Sequence, residues 1–86
     1  MNQLAVSLAG HDKNSVYAVV AEEGSMVLLA DGRTRTLEKP KKKNQKHIRR
    51  IGNLPNEVRE KLQRVSQNSD LVHVLKLYQV LQKEKR

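Results

Sequence analysis

The chain has 86 residues, no cysteine, and 17 Lys and Arg against nine Asp and Glu, for a formal net charge of +8. At this length only about three fifths of the surface exposed by the unfolded chain is buried, so the core is modest and a large ligand-enclosing cavity is not expected. Without cysteine there are no disulfides or thiolate metal sites, and no apolar run approaches the roughly 20 residues a membrane-spanning helix needs.

The segment "QLAVSLA" places Leu4, Val6 and Leu8 on one face by strict alternation, the signature of a half-buried strand. "SVYAVVAEE" is a second β-branched run, with Val16, Ala18 and Val20 on one side and Tyr17 and Val19 on the other. "SMVLLA" is a third apolar run, separated from the second by "EEGS", whose Gly24 suits a positive φ. Glu22 and Glu23 fall in that turn as solvated acids. Asp31-Gly32 is a hairpin signal, and "RTRTL" then alternates as a fourth strand. "KHIRRI" supplies the last short strand. Four or five short strands with tight turns predict a small, strongly bent sheet or barrel.

Between these strands runs "KPKKKNQKHIRR", residues 39–50, with seven Lys and Arg and no acid. Such a density of like charge opposes folding, so a polyanion is the natural counterpart. Pro40 disfavours helix and starts the run in an extended conformation. Residues 54–86 hold no glycine and carry apolar side chains at helical spacing: Val58, Leu62 and Val65, then Leu71, Leu75, Tyr78 and Leu81. Asn53 or Asn56 can cap the first stretch, with Pro55 in its early turn. "SQNSD" either breaks the pattern, with Asn68 or Ser69 capping a second helix, or lies exposed within one long helix. Lys83, Lys85 and Arg86 suit the negative pole of the last helix.

The stretch "AGHDKNSVYAVVAEEGSMVLLADG" resembles a KOW motif, and "RTRTLEKPKKKNQKHI" after it is similar to bacterial KOW proteins related to archaeal and eukaryotic large-subunit ribosomal proteins of the fourteen-e type. The resemblance covers residues 3–51, and its "KPKKKN-x-KH-I" half matches in order and spacing as well as composition. Asn14 stands where the motif has its second glycine; Asn tolerates the left-handed conformation better than most residues. The resemblance implies a mainly β protein: an SH3-like KOW barrel of about five strands over residues 1–52. Residues 53–86 form a helical extension of one or two helices. It also implies RNA binding, typically to ribosomal RNA.

The expected phosphate contacts are Lys41, Lys42, Lys43, Lys46, Arg49 and Arg50, with Arg33, Arg35 and Lys39 supporting. The lysines act as flexible point charges and the arginines as bidentate grips. Lys13, in the first inter-strand loop, turns toward RNA or is an ordinary surface lysine. His47 donates to a phosphate or 2′-hydroxyl, or is partly buried in the last strand. Near-absence of aromatic residues, only Tyr17 and Tyr78, favours structured RNA over stacked single strands.

No catalytic fingerprint is present, Asp12 beside His11 is only a sequence neighbour, and His11 and His73 lack companions at metal-ligand spacing. The expectation is therefore a non-enzymatic cytoplasmic protein with no cofactor, metal, membrane or small-molecule substrate, "MNQLAVSLAG" being too short for a signal peptide and without a basic region. Its partners would be RNA and ribosomal proteins. The alternative is a protein-interaction module of the transcription or translation machinery, working through the apolar face of the helical extension.

Overall fold

The alternating apolar segments pair into one antiparallel sheet in a computed structural model, which describes residues 1–84. The expected cations Lys85 and Arg86 lie outside the described residues. The strands are β1 (Leu4–Ser7), β2 (Val16–Glu23), β3 (Met26–Ala30), β4 (Lys41–Asn44) and β5 (Ile48–Arg50), in the order β4-β3-β2-β1-β5. A register shift between Val19 and Ala21 bulges β2 and increases the bend of the sheet. The two edge strands are joined by a single 3-10 turn, Gln45–His47. That turn is stitched to the rest of the sheet by Leu8 N donating to His47 O (2.9 Å) and Gln45 N to Ser25 O (2.9 Å). The strip thus curls into a small SH3-like barrel.

Two sequence expectations fail here, each for a visible reason. "RTRTL" is not a strand. Asp31 Oδ1 accepts from the backbone N–H groups of Arg33 and Arg35 (both 2.9 Å), and Asp31 N and Gly32 N donate to Arg35 O (2.8 and 3.0 Å). This local Asx chemistry winds the segment on itself and outcompetes a ladder. The fourth strand is instead the lysine triplet, Lys41 to Lys43, with Asn44. Glu22 and Glu23 are also not in the turn; they end β2, and only Gly24 and Ser25 connect it to β3. Asn14 takes a φ of +75°, the left-handed conformation that Asn tolerates better than most residues.

Residues 54–84 divide at "SQNSD", into α1 (Asn56–Gln63) and α2 (Asn68–Glu84). Pro55 stands at the amino end of α1 without a side-chain cap. In the first turn of α2, Asp70 Oδ2 accepts from Ser66 N, the Ser66 hydroxyl and Gln67 N, tying down the interhelical turn.

The sheet is covered on both faces. Inside the barrel lie Ala5, Tyr17, Val19, Val27, Leu29 and Ile48. On its outer face the register aligns Leu4 with Ala18 and Ala18 with Ala30, a fully buried row across three strands. The two alanines leave room for helices to approach, and Leu54, Val58, Leu62, Leu71, Val74, Leu75 and Tyr78 pack onto this row. Ten buried residues form this outer core against six inside. The helices therefore supply much of the apolar burial that the small barrel lacks alone.

Candidate nucleic-acid interface

Strand alternation decides where the lysine triplet points. Lys43 lies opposite Val27 and Lys41 opposite Leu29, both residues of the inner core, whereas Lys42 lies opposite Leu28 on the outer face. Lys41 and Lys43 consequently enter the mouth of the barrel. There Lys41 Nζ donates to Asp12 Oδ2 (2.6 Å), and Lys43 Nζ donates to Asp12 Oδ1 (2.8 Å), the Ser7 hydroxyl (2.7 Å) and Ala9 O (2.8 Å). Ser7 and Tyr17 also donate their hydroxyls to Asp12, at 2.9 and 3.0 Å. The side chains of Lys43 and Asp12 are only 10% and 13% exposed, and that of Lys41 26%.

Burial by itself would raise the Asp12 carboxyl, but the ammonium groups of Lys41 and Lys43, with the Ser7 and Tyr17 hydroxyls, outweigh it. They hold the carboxyl well below its ordinary 3.8. Tyr17 responds in the opposite sense: burial, and then its bond to the Asp12 anion, push the phenol up to about 12. One carboxylate thus anchors two lysines and a tyrosine across the barrel mouth. This overturns the expectation that Lys41 and Lys43 are flexible point charges.

Two more cations of the run have acidic partners. Lys42 Nζ lies 3.3 Å from Glu23 Oε1, with both side chains more than half exposed. Such a pair contributes little, and Lys42 can exchange Glu23 for a phosphate. Arg50 is more tightly held: it donates to Glu22 Oε1, to Gln45 Oε1 (3.2 Å) and to Gln3 Oε1 (3.1 Å).

Among the described residues, Lys13, Arg33, Arg35, Lys39, Lys46 and Arg49 are exposed and make no ion pair, and His47 is exposed as well. His47 is thus not buried in the last strand. Several of these cations stand on constrained backbone. The Asp31 turn fixes Arg33 and Arg35. Asn68 of α2 accepts from Leu37 N (2.8 Å) and donates to Glu38 Oε1 (2.8 Å), and Lys39 follows directly. Asn44 Oδ1 accepts from Lys46 N (3.0 Å), and Arg49 lies opposite Val6 in β5.

The apolar helix face, offered above as the alternative working surface, is occupied. Val58, Leu62, Leu71, Leu75 and Tyr78 are buried against the sheet, and Val65 packs at the edge. No helix of the described residues is long and apolar enough to cross a membrane. Comparison of the chain with protein-family models and with curated proteins finds no match to either.

Sequence reasoning missed Asp12, Ser7 and Tyr17 as the anchor of the lysine triplet. The available signal was the alternation itself: three successive lysines in a strand must send at least one toward a buried face, where it needs an anion. It offered Asn68 only as a helix cap and missed its contacts to Leu37 and Glu38, which lie 31 and 30 residues away in sequence.

Proposed function

We propose that the protein binds structured RNA, with ribosomal RNA as the natural partner, by contacting phosphates through Arg33, Arg35, Lys39, Lys46 and Arg49, joined by Lys13, with Lys42 and His47 at hand. The observation that carries this reading is the group of exposed cations without acidic partners, several of them on backbone pinned by Asp31, Asn68 and Asn44. Together with a net charge of +8, they present a preorganised positive surface to a polyanion. The resemblance to KOW proteins of the ribosomal type favours RNA over other polyanions, and a cytoplasmic, non-catalytic role beside ribosomal proteins follows from it. Lys41, Lys43 and Arg50 serve in this account to hold the barrel that presents the others.

The test is sedimentation of the purified protein with ribosomal subunits in low and high salt. Co-sedimentation in low salt that is lost in high salt is expected; a protein that stays in the supernatant at low salt contradicts the reading. Burial of the apolar helix face against the sheet favours this reading over the protein-interaction alternative, which would work through that face.

A further inference from the structure

A cleft of about 570 Å3 opens between α2, the start of β2 with the loop before it, and the 31–33 segment. Its apolar lining is Val16, Val72 and Leu75, while Arg33 and Lys76 add positive charge and Asn14 and Gln79 add side-chain amides. Val72, Lys76 and Gln79 are spaced i, i+4, i+7, so one face of α2 makes one wall. The 31–33 segment makes the other. That wall is set close: a Cβ on Gly32 would meet Asn68 O at 2.5 Å, so the loop is pressed against the first turn of α2. Asp31 also lines the cleft, but its Oδ1 is engaged by two backbone N–H groups, and the two cations outnumber it.

We propose that this cleft seats one unstacked nucleotide of the bound RNA, its base against Val16, Val72 and Leu75 and its phosphate between Arg33 and Lys76. The inference rests on the RNA-binding reading and adds a ligand to it. The size falls in the range of small-molecule sites, about 300–1,000 Å3, and the lining is mainly polar, with Val16, Val72 and Leu75 as its apolar part, which suits a polar, charged ligand such as a nucleotide. Structured RNAs offer bulged nucleotides whose bases can be splayed out and read at their edges. The amides of Asn14 and Gln79 both donate and accept, which suits a base edge. Scarcity of aromatic residues argues against a stacked strand but not against a single base on an aliphatic surface. Lys76, 26 residues beyond the end of the cationic run, thereby becomes an RNA contact.

The experiment is a titration of the isotope-labelled full chain with uridine 5′-monophosphate and, separately, ribose 5-phosphate, followed by amide NMR signals. The nucleotide should shift Ser15, Val16, Val72 and Lys76 saturably, and ribose 5-phosphate should bind the same residues more weakly. In the Lys76→Glu variant, whose exposed position leaves folding intact, loss of the charged contact should weaken nucleotide binding about tenfold. Equal binding of the two probes, or nucleotide shifts confined to residues 39–50, would overturn the cleft. Binding of folded RNA is measured in parallel on the same sample. RNA binding with no cleft shifts overturns the cleft and leaves the broader reading standing, whereas cleft shifts without RNA binding overturn the broader reading and leave a site for mononucleotides only.

Discussion

Lys43 and Asp12 meet at 2.8 Å across the mouth of the barrel, with only 10% and 13% of their side chains exposed. The densest stretch of positive charge in the sequence is therefore partly turned inward. Lys41 shares the same carboxylate at 2.6 Å, so one acid steadies two like charges that would otherwise repel. Removing one member of a buried pair costs more than the pair itself contributes, because the remaining charge is stranded.

Asp12→Asn should lower stability by about 2–3 kcal/mol, somewhat below the fully buried case because water reaches the barrel mouth. For a domain of this size that corresponds to a drop in Tm of roughly 10–20 °C. Thermal melting followed by circular dichroism measures it. An unchanged melting temperature would mean that the two lysines do not need the carboxylate.

The same network sets a pH dependence. The folded Asp12 carboxyl titrates below its ordinary 3.8, so its stabilisation is complete above that value and drains away as pH falls through the folded one. Urea midpoints should therefore decline below about pH 4, and less so in Asp12→Asn. At the alkaline end Tyr17 is raised from 10.0 to about 12, so stability is full below 10 and is lost as pH rises between these values. Tyr17→Phe should reduce that alkaline loss.

Leu71, fully buried between α2 and the outer face of the sheet, reports on whether the extension is part of the fold. Leu71→Ala should cost about 2–5 kcal/mol and melt strands and helices together. Helical signal lost before strand signal would show that the barrel stands without its cover.

Asn68→Ala removes the bonds to Leu37 N and Glu38. Stability should fall by about 1 kcal/mol, with faster amide exchange at Leu37. RNA affinity should weaken severalfold through loosening of Lys39, with its salt dependence unchanged, since no phosphate contact is lost. Binding assays across a salt series check both parts.

Strands β1 to β3 and the helical character of the extension were legible because their apolar residues follow periods of 2 and 3.6, and Gly24 marked a hairpin where only two residues connect β2 to β3; β4, Lys41–Asn44, has no apolar residue to betray it, and the pattern left one helix or two open. "RTRTL" misled because alternation scores only side-chain pattern, whereas Asp31 competes for the backbone itself. In the candidate site, Arg33, Arg35, Lys39, Lys46 and Arg49 stand exposed as their sequence context suggested. The inward turn of Lys41 and Lys43 was hidden by register, since a one-residue slip of β4 would expose both and bury Lys42. The Asn68 clamp and the placement of Lys76 near Arg33 depend on how the helices dock, which no local pattern encodes.

The central claim is that outward cations carry RNA while inward ones hold the barrel, and the salt dependence of RNA affinity separates the two. With six phosphates engaged, log affinity against log salt should have a slope of roughly −4 to −5 for the wild type. Lys46→Ala and Arg49→Ala should each flatten it by about one unit at unchanged Tm, whereas Lys43→Ala should keep the slope and lower the Tm. A flattened slope in Lys43→Ala, with wild-type slopes in the other two, would contradict the account.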